Sequence, residues 1–297
     1  MTHFERIASN PIIFPGMPGL EGEAGANING PSLIRLPDWI KNPLGRYYLY
    51  FAHHSGQYIR IAYADTPEGP WRVHSPGVLQ LKETASLRHI ASPDVHVDAG
   101  AQRLRMYFHG DTEAGQRTFL AFSDDGLTWE ARPQIMAHFY LRAFTYQGAW
   151  YGIAKYENRG GILQRSPDGI EPFQEGPRFL ERIRHAAIWL DGNLLHLLFT
   201  QGKDCPESIL YARMTLDGDW SRWPETLTPA RLELRPNTIY EGVDLPITPS
   251  QWGAVFGRAH QLRDPAVLVE GGRIYLVYAA AGESCLALAT GRCPVHH

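Results

Sequence analysis

Short runs of alternating apolar and polar residues recur along the chain, and no long window carries an apolar stripe at helical spacing. The runs are rich in β-branched and aromatic residues and are bounded by Gly, Pro or Asp, which reads as strands joined by turns. One unit repeats. An apolar strand leads through a Gly turn to a Tyr- or Leu-rich strand, then through a polar loop to a third strand and an Asp-Gly or Glu-Gly turn. Copies fall at about 30–80, 90–135, 139–178, 184–222 and 262–292. The spacing is that of propeller blades, so the pattern predicts an all-β fold, a five-bladed β-propeller filling residues 1–297 as one domain. The fifth copy stops after its third strand, and a strand from 10–16 is expected to complete it and remove a sheet edge. Residues 222–260 fit no copy and read as a long connection, a kind of segment that often carries function.

In a blade the first strand lines the central channel and the second runs antiparallel to it. First-strand starts and second-strand ends therefore share one face. Asn29, His89, Asp94, Arg142, Arg184, His185, Arg263 and Asp264 fall at or near first-strand starts. His53, His54, Lys155, Glu157 and Glu283 fall at second-strand ends. The opposite ends are plain turns, so the polar face is the expected site.

Composition narrows the functional classes. The net charge of −3 and the absence of a basic run argue against nucleic acid or an anionic membrane as partner. No apolar stretch is long enough to span a bilayer. The amino terminus lacks the basic start and apolar core of a signal peptide, so a cytoplasmic location is expected. Cys205, Cys285 and Cys293 are too few and too far apart for a disulfide framework or a zinc motif and read as free thiols.

Two short motifs carry a family resemblance. Ala91-Ser92-Pro93-Asp94-Val95-His96-Val97, followed by Leu104-Arg105-Met106-Tyr107-Phe108, resembles the second blade of five-bladed glycoside hydrolases of the arabinofuranosidase and xylosidase group, family 43. Leu262-Arg263-Asp264-Pro265 resembles an Arg-Asp-Pro motif shared with fructan-cleaving and mannoside-phosphorolysing propellers. The resemblance implies inverting hydrolysis by an Asp base and a Glu acid flanking the scissile bond, with Asp94 as the Asp that tunes the acid. It also implies a small glycoside or oligosaccharide as substrate.

The chain departs from that pattern. Asn29-Gly30-Pro31-Ser32 stands where the family has its base, and Ile183, Arg184 or His185 where it has its acid. One reading relocates the pair, with Asp264 as base and Glu241, carried by the long connection, or Glu157 as acid. Asn29, His53, His54, His89, Arg142, His185 and Arg263 would then bind substrate. The other readings are a propeller that binds sugar without cleaving it, or a glycoside phosphorylase with several cations around one phosphate-sized pocket. No cofactor is required; a structural metal ion in the channel, with His185 as its first ligand or neighbour, is the alternative. Ser123-Asp124-Asp125-Gly126-Leu127-Thr128-Trp129 resembles the sialidase Asp-box, which implies a blade-stabilising turn far from the chemistry.

Overall fold

In a computed structural model describing residues 4–293, the alternating segments pair into five antiparallel sheets, one per blade. Blade I contains Asn29–Arg35, Tyr47–Ala52, Tyr58–Ala64 and Arg72–Gln80. Blade II contains Ile90–Asp98, Arg103–Thr112, Gly115–Ser123 and an edge of Glu130–Ala131 and Ala137–His138. Blade III contains Arg142–Tyr146, Ala149–Lys155, Gly161–Ser166 and Gln174–Phe179. Blade IV contains Ile183–Asp191, Leu194–Gln201, Ile209–Thr215 and Arg231–Leu234. Blade V contains Arg258–Glu270, Arg273–Gly282, Cys285–Arg292 and the amino-terminal pair Glu5–Arg6.

The core is divided among the blade interfaces. Tyr48 and Tyr50 of blade I meet Met106 and Phe108 of blade II, and Tyr107 and Phe122 of blade II meet Leu141 and Ile162. Tyr151 and Ile153 meet Leu197 and Phe199 between blades III and IV. Trp189 and Leu198 meet Leu276 and Tyr278 between IV and V, and Val277 and Leu286 meet Leu49 and Phe51 where V returns to I. Both faces of every sheet are therefore covered, and each buried aromatic side chain contributes about 1.5–3 kcal/mol. Two Asp turns, Ser123–Trp129 and a second at Ser166-Pro167-Asp168-Gly169, bolt neighbouring blades together. Tyr50 Oη donates to Gly126 O at 2.9 Å, and Tyr107 Oη to Gly169 O at 2.7 Å. Gly126 has a φ of 77°, and a Cβ there would lie 2.8 Å from Tyr50 Oη, so both backbone and space require glycine.

Three boundaries differ from the sequence reading. The closing strand is Glu5–Arg6, paired with Thr290 and Ala289, whereas Ile12 and Ile13 only bridge to Leu286. Two polar residues at a sheet edge leave no periodic trace. Blade IV takes its outer strand from Arg231–Leu234, inside the segment read as connection, and blade V begins at Arg258. The true connection is 235–257.

Candidate functional site at the channel mouth

Four inner strands break their ladder at the same step, the one in blade IV between Ile183 and Ala186, and the other three share a common apex. In those three, register shifts lie between Asn29 and Ser32, Ala91 and Asp94, and Arg263 and Ala266. At the apex of each of the three stands a residue with positive φ followed by proline: Gly30 at 58°, Ser92 at 46° and Asp264 at 45°. Proline has no N–H to give to the ladder, and a non-glycine residue in this region costs about 1–2 kcal/mol. Two residues beyond the apex stand Ser32, Asp94 and Ala266.

This register separates the two motif aspartates. Ser32 Oγ accepts the Val95 amide of blade II at 2.9 Å. Asp94 Oδ2 accepts the Ala143 amide of blade III at 2.8 Å. Asp94 thus hooks the next inner strand, as Ser32 does one blade earlier. Burial opposes its charge, but His96 at 2.8 Å, Arg142 and the Ala143 amide outweigh it and lower its pKa. Arg142 donates to Ala186 O, Pro93 O and Pro31 O, tying blade III to IV, II and I across the channel. Asp94 and Arg142 line the channel, in a cavity of about 420 Å³.

Asp264 sits at an apex and faces the other way. Its Oδ2 accepts the Gly30 amide at 3.2 Å, and its Oδ1 lies 2.8 Å from His185 Nδ1 of blade IV. Burial opposes the Asp264 charge; His185, Arg263 and Arg184 outweigh it and hold the carboxyl well below its usual range. Burial also drives His185 down to about 4, against the pull of Asp264. The pair is therefore an ionised carboxylate beside a neutral imidazole. Nδ1 and Oδ1 approach without hydrogen-bond alignment, and neither has another hydrogen-bond partner among the described residues. A proton on Nδ1 faces the Asp264 anion and leaves Nε2 as an acceptor, with no protein partner among the described residues.

His185 lines a mouth cavity of about 360 Å³ with His54, Tyr140, Lys155, Glu157 and Arg184. Tyr140, at φ 58°, packs between the His109 ring at 4.4 Å and the His185 ring at 4.8 Å. Glu157 is half exposed on the rim, with Arg159 4.0 Å away. The 235–257 connection reaches this mouth with Trp252, whose ring packs on Gly202 and stands 5.0 Å from Lys155 Nζ.

Beneath the mouth lies a buried ion network. Glu207 stands between Arg184 and Arg263, 3.3 Å from the Nε of each. Burial raises the Glu207 pKa against the pull of both arginines. Arg263 also binds Glu283 at 2.9 Å, and Glu283 receives the side chains of Asn27 and Asn29. The His54 ring stands 3.4 Å from the same carboxylate. Burial would raise Glu283, but His54 and Arg263 bring it down to about 2. Arg184 and Arg263 further bond to the Gln251 and Gly253 carbonyls, so this network anchors the connection.

The structure therefore brings His54, Glu157 and His185 to one mouth, with Asp264 buried behind His185 and Asn29 and Arg263 as support beneath. It places other candidates elsewhere. Glu241 is fully buried at the end of a short 3-10 turn; Arg6 Nε, Tyr278 Oη and the Asn237 amide all donate to it. It fastens the closing strand and lines no part of the mouth. His53 packs near Phe256 in a separate cavity with Glu23 and Arg60. His89 bonds Asp111 at 3.0 Å. Among the described residues, no three of His, Cys, Asp and Glu converge in the manner of a metal site. Lys155, Arg184 and Glu283 fall on the predicted face, but sequence position does not separate them from other polar strand ends. Glu207 lies beneath the mouth just before a third strand, a position that the first-strand and second-strand ends do not single out, and Tyr140 stands two residues before the first strand of blade III.

No family model matches the sequence. The chain is 32% identical, over 319 aligned positions, to the uncharacterized protein R118 of Acanthamoeba polyphaga mimivirus, covering 95% of this chain and 88% of that protein. The two belong to one family. Among solved structures, the β-1,2-mannobiose phosphorylase of Listeria innocua superposes with a TM-score of 0.69 at 12% identity, over 96% of each chain. A glycosyl hydrolase of Bacteroides ovatus gives 0.63 at 14%, over 97% of this chain and 93% of that one. The GH43_1 enzyme of Xanthomonas citri gives 0.59 at 13%, over 90% and 88%. The family thus has the five-bladed propeller fold of glycoside hydrolases and phosphorylases. No helix among the described residues is long and apolar enough to cross a membrane.

Proposed function

We propose that the chain cleaves a small glycoside at the channel mouth by acid–base chemistry, with His185 as the base, Asp264 behind it, and Glu157 as the acid. The observation that carries this reading is the 2.8 Å contact of His185 with Asp264 on a cavity that Glu157 shares. One Asp264 oxygen accepts the Gly30 amide and the other faces His185 at 2.8 Å, so the carboxylate acts electrostatically through the imidazole. Water held against Nε2 gives up its proton there and attacks the anomeric carbon. The glycosidic C–O bond breaks, Glu157 protonates the departing oxygen, and the anion of Asp264 stabilises the imidazolium that forms. Solved neighbours in complex with xylose and with β-1,2-mannobiose support a sugar as ligand.

A panel of aryl glycosides and short oligosaccharides, assayed with and without inorganic phosphate, tests the proposal. His185→Asn and Glu157→Gln are expected each to lower kcat/KM by about 10²–10⁴-fold. Full activity in both variants overturns the assignment. Cleavage that requires phosphate makes the reaction a phosphorolysis. Saturable binding without turnover replaces cleavage with carbohydrate recognition.

A further inference from the structure

Lys155 ends the second strand of blade III, and only 5% of it is exposed. Its ammonium stands 5.1 Å from the Phe139 ring centre, 5.2 Å from Tyr140 and 5.0 Å from Trp252. These rings wall it on several sides, and Nζ has no hydrogen bond or ion pair among the described residues. Neighbouring cations are committed elsewhere. Arg184 is spent on Glu207 and on the Gln251 and Gly253 carbonyls, and Arg263 on Glu207 and Glu283. An unpaired buried ammonium is costly, and the polar approach left to Nζ is from the mouth cavity it lines.

We infer that Lys155 anchors a carboxylate on the ligand, so that the glycoside processed at this mouth is an acidic sugar. This rests on the reading of the mouth as a glycoside site and adds its substrate class. The charge match favours a monoanion. One amine lacks an anionic partner, whereas a phosphate dianion would call for the guanidinium groups already engaged beneath.

The same geometry couples binding to a proton. Burial, and then Arg184, lowers Lys155 to about 7; Glu207 and Asp264 pull the other way, and Arg263 adds to the lowering. His109 and His185 also face it, and both are themselves lowered by burial. An anion on Nζ favours the protonated amine. Affinity for an acidic sugar is therefore full below about pH 7 and falls as pH rises above it, and binding near that pH takes up a proton.

Calorimetric titration of the whole chain with D-glucuronate, D-galacturonate, their neutral counterparts D-glucose and D-galactose, and inorganic phosphate tests this. At least one acidic sugar should bind about tenfold or more tighter than its neutral counterpart at about pH 6, a difference lost by about pH 8.5. In Lys155→Met the preference disappears. In Lys155→Arg the preference remains while its pH dependence is lost, because a guanidinium does not titrate in this range. Thermal unfolding checks that the variants fold. Equal binding of neutral and acidic sugars overturns the inference. So does a preference that survives in Lys155→Met, or phosphate binding tighter than either acid. Failure of the cleavage reading looks different: the acidic sugars still bind with the predicted pH dependence, and no substrate turns over.

Discussion

His185 and Asp264 lie on the first strands of adjacent blades, and their Nδ1 and Oδ1 atoms stand 2.8 Å apart under the channel mouth. Asp264→Asn removes the anion that orients the ring and is expected to lower kcat/KM by about 10²–10⁴-fold. Because burial holds His185 at about 4, the base stays unprotonated down to mildly acid pH. The wild-type pH–rate profile should show an acid limb near 4, and His185→Asn should lack it.

Asp94 should behave as a fastener. Asp94→Asn keeps one acceptor oxygen for the Ala143 amide but loses its charge to His96 and Arg142. Stability is expected to fall by about 1–3 kcal/mol, read by urea unfolding. Turnover should stay within a few-fold of wild type, since Asp94 lines the channel and Asp264 carries the mouth. A loss of turnover as large as that of Asp264→Asn would place both aspartates in the chemistry.

Glu241→Gln should likewise separate stability from activity. The carboxylate is fully buried and accepts from Arg6, Tyr278 and the Asn237 amide. Neutralising one partner of such a pair costs about 3 kcal/mol, and the loss should loosen Glu5–Arg6 from the last blade. Hydrogen exchange at Thr290, which faces the closing strand, reports that loosening directly. Sugar affinity at the mouth is expected to be unchanged.

The fold should be sensitive to acid in a defined window. His185, at about 4 when folded and about 6.5 when unfolded, binds more protons in the unfolded state between those values. Its contribution therefore declines as pH drops from 6.5 to 4. Glu283, at about 2 when folded and about 4.3 when unfolded, withdraws its contribution over the next interval down. Asp94 and Asp264 are lowered as well and act in the same direction. Thermal midpoints should fall steadily from about pH 6.5 toward pH 2. In His185→Asn the upper part of that decline should flatten.

Blade count, strand order and the polar face follow from local pattern. A strand covered on both faces by neighbouring blades must keep its apolar residues in register, and segments such as Tyr47–Ala52 and Leu194–Gln201 show it. Glu5–Arg6 and Arg231–Leu234 are short edge strands whose pairing comes from distant partners, Thr290 and Ala289 for one and Ile209–Tyr211 for the other. Local periodicity holds no record of such partners.

Asp94 and Asp264 show the limit most clearly. Each follows or precedes a proline near a first-strand start, and by sequence both are candidates for the same site. The bulge divides them. Asp264 occupies the apex at φ 45° and turns to His185, while Asp94, two residues past the apex, turns to the next blade's amide. Residue types and their face are properties of the chain alone. Which carboxylate meets which base, and that Lys155 is left with three rings and no anion, depends on side chains from different blades arriving at one point. Only closure of the ring brings them there.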